Sequence, residues 1–378
     1  MSYESESADL DETILRAIEG WRTGSDSLDD DGFNSLALRL FDYQRRYNEP
    51  YARYCAALGV ASDAMPASWE QIPPVPAAAF KEATLTTFPA ERAVLAFETS
   101  GTTLGRSGRH FFETARLYDA ALIAGFERFM LADGARLRYC NLVANPTTRP
   151  QSSLGYMMGR VSQTLGGAAA GWYVDGDALD FERFVADLRD ARAREQAVCI
   201  ATTAFALVAV LDRCAQNGID LPLMPGSRIM ETGGFKGRSR IVERDELYRR
   251  AAATFSIAER AIVAEYGMTE LTSQYYDGKP PRMVENDSGL RYKRCGPWLR
   301  PRVVGPDGAT LPDGVLGALV HVDLANRASC IAISTEDLGV RFADPDGPGS
   351  ALVLIGRERG AELRGCSLDA ETLRDVRA

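Results

Sequence analysis

Glu265-Tyr266-Gly267-Met268-Thr269-Glu270 gathers carboxylates, a hydroxyl, an aromatic ring and a glycine directly behind the apolar run Ala261-Ile262-Val263-Ala264. A β-branched run that stops at such residues predicts a buried strand whose end opens into a site, the usual ligand position in open α/β sheets. A second stretch, Thr99-Ser100-Gly101-Thr102-Thr103, supplies hydroxyls and a close-approach glycine, the chemistry needed to wrap an oligophosphate with backbone N–H groups and side-chain donors. The third is Thr335-Glu336-Asp337-Leu338-Gly339, followed by Gly356-Arg357. Taken singly, each stretch is equally at home in a plain turn.

Composition narrows the chemistry. The 378 residues suffice for one large domain and a smaller unit. A net charge of -9 argues against nucleic acid as a main partner, although an acidic surface can still hold a local basic pocket. Only His110 and His321 are present, so a multi-histidine metal site is excluded. Seven cysteines, widely spaced and without a Cys-x-x-Cys pair, read as reduced thiols, most of them core residues. The acidic N-terminus lacks a signal-peptide pattern, and the longest apolar stretch, near Ala204 to Leu211, is far short of the ~20 residues of a membrane span. A cytoplasmic protein is expected.

The elements that must position these groups follow from periodicity. Leu10, Ile14, Leu15, Ile18 and Trp21 share a helical face behind a capping-box-like Asp9-x-x-Glu12. Asp29-Asp30-Asp31 is a solvated turn or, as an alternative, a metal-binding run, and Phe33 to Leu58 continues as helix. Ile72-Pro73-Pro74-Val75-Pro76 breaks regular structure and links this helical region to an α/β body. Strands at Val94 to Phe97, Leu137 to Ala144, Val198 to Ala201 and Ser227 to Met230 alternate with helices at Thr114 to Leu131, Leu179 to Arg194, Ala204 to Gln216 and Asp245 to Ala253. That alternation predicts a parallel sheet flanked by helices. From Gly289 onward short strands dominate: Arg302 to Val304, Leu316 to Val322, Ile331 to Ser334 and Ala351 to Ile355. The expected organisation is a helical N-terminal region over residues 1–88, an α/β body over 89–288, and a β-rich subregion with a short tail over 289–378.

Hydroxyl-rich loop, Tyr-Gly-Met-Thr-Glu, Thr-Glu-Asp-Leu-Gly and Gly-Arg, in that order, resemble the motif series of the adenylate-forming enzymes. Within that superfamily the chain is most similar to acyl-protein synthetases of the LuxE type. That closer likeness is carried by Ser107-Gly108-Arg109-His110, by Glu231-Thr232-Gly233-Gly234-Phe235-Lys236-Gly237 and by Glu362-Leu363-Arg364-Gly365-Cys366-Ser367-Leu368. It extends from about Trp69 to the C-terminus. It implies the large α/β adenylate-forming domain without the mobile C-terminal domain that usually follows the Gly-Arg hinge.

The resemblance also implies roles. Thr99, Ser100, Gly101, Thr102 and Thr103 would grip the phosphates of ATP; Leu104 stands where a glycine is common and no lysine follows, so Arg106, Arg109 and His110 are candidates for the missing donors. Glu270 would hold Mg²⁺, Thr269 the α-phosphate, and Tyr266 beside Gly267 the adenine. Gly233 and Gly234 would leave room for the purine, and Asp337 and Arg357 would reach the ribose. Thr202, Thr203, Ala204 and Phe205 resemble an acyl-pocket segment, to which Tyr156 and Gly166-Gly167 could contribute. Lys236 is a candidate for a charge otherwise brought by the absent domain, and Cys366 for the thiol that carries the acyl group. The implied activity is ATP-dependent conversion of a carboxylic acid to an acyl-adenylate and then a thioester, with a reductase, a carrier protein or coenzyme A as acceptor. Two alternatives stay open: a ligase or transferase delivering to coenzyme A or a carrier-protein phosphopantetheine, and a nucleotide-binding subunit without chemistry.

Overall fold

A computed structural model describes residues 2–25, 28–60, 64–99, 107–176, 178–233, 243–278, 291–345 and 349–357. The chain forms two compact units, Met1–Ala124 with Met268–Gln274 and Pro280–Ala378, and Gly125–Gly267 with Tyr275–Lys279.

The first unit begins with α1 (Tyr3–Thr23), which buries Leu10, Ile14 and Ile18 along one stripe. Its cap is Ser2, accepting from the Ser5 N–H, so the helix starts about two turns before the expected Asp9 box. Asp9 instead lies mid-helix and pairs with Arg39 at 2.7 Å. The aspartate run has a structural role as well: Asp29 caps α2 (Asp30–Tyr47) by accepting from Gly32 N–H at 2.8 Å, and Asp30 and Asp31 occupy the first turn, where the helix dipole favours negative charge. Asn48 ends α2 and caps α3 (Glu49–Ala57), so the expected single helix to Leu58 is two. Arg327, only 2% exposed in its side chain, anchors this helical layer through ion pairs to Asp11 at 2.8 Å and Glu113 at 3.1 Å. The proline stretch contributes β1 (Val75–Pro76), a short strand rather than a bare linker, in parallel register with Ile333 and Ser334. A hairpin of β2 (Leu95–Glu98) and β3 (Arg109–Phe112) follows, its inner face closed by the rings of Phe97, Phe112 and Tyr118.

The second unit is entered along α4 (Arg116–Met130). It then alternates β4 (Arg138–Ala144), α5 (Ser153–Leu165), β5 (Gly171–Asp175), β6 (Ala178–Leu179), α6 (Phe181–Ala193), β7 (Val198–Thr203), α7 (Ala204–Asn217), β8 (Arg228–Thr232), α8 (Arg244–Phe255), β9 (Ile262–Tyr266) and β10 (Tyr275–Asp277). Its strands run in the order β10-β9-β8-β7-β4-β5-β6, with β9, β8, β7, β4 and β5 mutually parallel. Alternation along the strands sends Cys140, Leu142, Ile200 and Ile229 into a core with α6, α7 and α8. Tyr139 and Asn141 turn the other way, toward Phe126 of α4 and Ser162 of α5. This is the α/β parallel sheet expected from the sequence.

Back in the first unit, the antiparallel strands β11 (Lys293–Arg294), β12 (Leu299–Val304), β13 (Leu316–Asp323), β14 (Ala332–Ala343) and β15 (Ser350–Arg357) pair in the order β12-β13-β14-β15-β11. Thr335-Glu336-Asp337-Leu338-Gly339 does not follow a strand ending near Ser334; it lies inside β14, which runs on to Ala343. Gly339 permits that continuity, since a Cβ there would stand 2.7 Å from the Val353 carbonyl oxygen.

Candidate active site

In the second unit the chemistry-bearing residues sit at the carboxyl ends of three neighbouring parallel strands. Register aligns Thr203 with Thr232 and Thr232 with Glu265, so β7, β8 and β9 end side by side. Beyond them come Gly233, at φ 77°, and Gly267. This edge is where an open parallel sheet offers a ligand its strand ends. The Thr232 hydroxyl donates to the Glu265 carboxylate, Tyr248 donates to Glu231 at 3.0 Å, and Asp277 accepts the Ala264 N–H at 3.0 Å. Tyr266 lies half-buried with its ring 5.8 Å from Tyr275. Thr203 spends its hydroxyl capping α7, accepting from Ala206 N–H at 3.2 Å, while Phe205 on the first turn of that helix is 42% exposed.

The first unit carries the other groups. Thr99 closes the neck of the β2–β3 hairpin: its N–H donates to the Gly108 carbonyl at 2.9 Å and its hydroxyl accepts from the Gly108 N–H at 2.8 Å. Arg109 stays outside, paired with Glu98 at 3.3 Å and lying over the Phe111 ring. His110, on the next residue of β3, is 1% exposed between the rings of Phe80 and Phe112, and its Nδ1 lies 2.9 Å from the Thr269 carbonyl. Burial pushes its pKa down to about 4, so the imidazole is neutral at pH 7 and Nδ1 serves as the donor. His110 therefore joins the hydroxyl-rich hairpin to the Thr269-Glu270 turn. Glu270 is 8% exposed and its carbonyl accepts from Asn326 Nδ2 at 3.0 Å.

Asp337 and Arg357, separated by 20 positions in the sequence, are direct partners across the β14–β15 ladder. The Asp337 N–H is held by the Thr335 hydroxyl at 3.2 Å, and that hydroxyl in turn donates to the Leu319 carbonyl at 3.1 Å. His321 is fully buried within the charge field of Asp337. Burial dominates over that field and lowers its pKa to about 4. Ser100, Gly101, Thr102, Thr103, Arg106, Gly234, Lys236 and Cys366 lie outside the described residues.

The described cysteines are poor nucleophiles. Burial raises the thiol pKa of Cys55 and Cys140 to about 11 and of Cys199 to about 12, and it raises those of Cys214, Cys295 and Cys330 as well. Sequence reading overlooked Asp323 and Asn326, whose side chains hold the backbone just after Glu270. Their signal is the Asp-Leu-Ala-Asn that follows the largely apolar stretch Leu316 to Val322, interrupted only by Gly317 and His321, a grammar like that which marks Tyr266-Gly267.

Comparison with known proteins finds relatives over most of the chain. The chain is 23% identical over 345 residues to a long-chain-fatty-acid–luciferin-component ligase of Aliivibrio fischeri, covering 89% of this chain and 86% of that protein. The protein of the same description from Vibrio harveyi is 22% identical over 341 residues, with 88% and 85% covered. Among solved structures, a 2-hydroxyisobutyryl-CoA ligase in an open conformation superposes with a TM-score of 0.63 at 14% identity, over 86% of this chain and 69% of that one. At that identity the likeness shows the adenylate-forming fold. Residues 6–373 match the model of the acyl-protein synthetase family LuxE, and the chain belongs to that family.

Proposed function

We propose that this enzyme activates a fatty acid with ATP and Mg²⁺, carries the acyl group as a thioester on Cys366, and passes it to a partner reductase. Membership of the family makes the chain an AMP-forming ligase that converts a carboxylic acid to an acyl-adenylate and then to a thioester. The fatty acid is suggested by the names of the two bacterial relatives. A cytoplasmic setting suits reduced thiols and ATP, and no helix among the described residues is long and apolar enough to cross a membrane.

The observation that carries the reading is the His110–Thr269 hydrogen bond, which fixes the neck of a hydroxyl-rich loop against a Thr-Glu turn. Backbone N–H groups of 100–103 and hydroxyls from 99–103 would bind the phosphates while a carboxylate oxygen attacks the α-phosphorus and pyrophosphate leaves. Tyr266 would lie against the adenine, Gly233 and Gly234 would leave it space, and Asp337 and Arg357 would hold the ribose and phosphate. Among the described residues no group of three or more His, Cys, Asp or Glu could hold a metal ion. A magnesium would rely on Glu270 and on ATP's own oxygens, the usual pattern for this ion, and would neutralise phosphate charge. Lys236 would stabilise the charge developing at the α-phosphate. The thiolate of Cys366 would then attack the acyl carbon, breaking its bond to AMP, and burial disfavours the six described cysteines for that step.

Exchange of labelled pyrophosphate into ATP, run with a panel of acids, tests the first half-reaction. Exchange that depends on a medium- or long-chain fatty acid supports the proposal. Exchange only with short or aryl acids would replace the substrate class, and none with any acid would remove the adenylation step.

A further inference from the structure

Asp323 ends β13 with no exposed surface, and four donors converge on its carboxylate. Oδ2 accepts from the N–H of Thr272 at 3.1 Å and of Ser273 at 2.8 Å; Oδ1 accepts from the Ser273 hydroxyl at 2.9 Å and the Ala325 N–H at 3.0 Å. Asn326 works on the same segment. Its Oδ1 accepts from the Thr272 N–H at 2.7 Å, and its Nδ2 donates to the carbonyls of Glu270 and Cys330, each at 3.0 Å. The loop bearing both residues is fixed in turn by buried Gln44 of α2. Its Nε2 donates to the Asn326 carbonyl at 2.7 Å, and its Oε1 accepts from Ile331 N–H at 2.8 Å. Trp298 Nε1 donates to the Ser273 hydroxyl at 3.0 Å.

A carboxylate this deeply buried is unfavourable unless charge-assisted hydrogen bonds surround it, and apolar side chains would cover a turn at least as stably. What these bonds accomplish is local: they immobilise the backbone on the C-terminal side of Glu270. On its N-terminal side, His110 already holds the Thr269 carbonyl at 2.9 Å. Glu270 therefore leaves from a main chain gripped on both flanks.

Resting on the role proposed for Glu270, we infer that Asp323 and Asn326 are positioning residues for acid activation, fixing the 269–273 turn so that the Thr269 hydroxyl and the Glu270 carboxylate meet the nucleotide in one geometry. Neither touches substrate. Their effect passes through the main chain, as the partners behind a metal ligand act through that ligand.

The test is pyrophosphate exchange by the full chain as Mg²⁺ is varied, comparing Asn326→Ala, Asp323→Asn and Glu270→Gln with the parent and following thermal unfolding alongside. Asn326→Ala should raise the half-saturating Mg²⁺ concentration and lower kcat, each on the order of 10–100-fold, with the KM for the acid unchanged. Asp323→Asn, which turns an amide toward N–H donors, should do more. If that variant does not fold, Asn326→Ala and Ser273→Ala decide. A residue that merely supports the fold would lower the unfolding temperature and leave the Mg²⁺ dependence alone; that result for Asn326→Ala, beside an inactive Glu270→Gln, overturns the inference. Parent-like exchange by Glu270→Gln would overturn the role of Glu270 and the inference with it.

Discussion

The strand-end edge of the second unit and the Thr269–Ser273 turn of the first present polar groups by opposite means. At the edge, placement comes from main-chain register: Thr203, Thr232 and Glu265 line up because β7, β8 and β9 are parallel and in step. At the turn, placement comes from side chains reaching over long sequence separations, with His110, Asp323 and Asn326 each bonding its backbone. An edge built by register tolerates loss of one side chain, because hydrogen bonding and burial of the strands persist. A turn built by side chains can lose its geometry with a single substitution. Residues of the edge should therefore tune affinity or stability, and those of the turn should control rate.

The largest effect is expected at the turn. Glu270→Gln should slow adenylation on the order of a thousandfold, the several kcal/mol of charge stabilisation that a metal supplies, while circular dichroism stays that of the parent. A modest rate loss would move the metal elsewhere and weaken the contrast.

Acid should attack the same unit. His110 and His321 have pKa values lowered to about 4 by burial, so between pH 6 and 4.5 the unfolded chain binds two protons there that the folded chain does not. Burial raises Asp323 to about 6, against the lowering by its hydrogen bonds from Ser273, Ala325 and Thr272, so the folded chain takes up one proton that the unfolded chain releases. The unfolded state keeps a net excess of about one, and these groups make stability fall by roughly 1 kcal/mol per unit of acidification. Denaturant midpoints at pH 6 and 5 check the sign. The slope should steepen in Asp323→Asn, whose opposing proton is gone, and a flat profile in the parent would contradict the burial of the histidines.

Smaller effects distinguish affinity from stability. Asp337→Ala should weaken ATP binding by about 1.5–3 kcal/mol through lost charge-assisted hydrogen bonds, read by calorimetry, with little change in unfolding temperature. Unchanged affinity would take Asp337 out of the site. At the edge, Thr203→Ala should destabilise by about 1 kcal/mol through loss of the α7 cap and leave the KM for the acid alone. A raised KM would instead place this segment in the acyl pocket.

The parallel sheet was legible because its strands are apolar runs separated by helices of clear 3.6-residue period. The stretch from Ser153 to Asp175 was not. Gly155 and Gly159 interrupt the helical pattern of α5 because the chain packs too closely for side chains there: a Cβ would lie 2.5 Å from the Ala144 carbonyl oxygen at the first position and 3.0 Å from Pro146 at the second. The polar run Ser334 to Asp337 hid the continuity of β14, whose ladder partners are supplied by β13 and β15 and not by local propensity. For the site, residue types announced the Tyr-Gly-Met-Thr-Glu and Thr-Glu-Asp-Leu-Gly motifs. The supporting residues carried only the local signal of a polar Asp-Leu-Ala-Asn at a strand end, and nothing tied it to the site, because Asp323 finds its partners 50 and 51 positions upstream and no spacing rule connects them.

The most direct test of the covalent relay is the intact mass of the enzyme after incubation with ATP, Mg²⁺ and a fatty acid. The parent should gain one acyl group that hydroxylamine removes, and Cys366→Ser should gain none while its pyrophosphate exchange continues. A Cys366→Ser variant that passes acyl groups to an acceptor at the parent rate would contradict the thioester relay and leave direct transfer from the adenylate in its place.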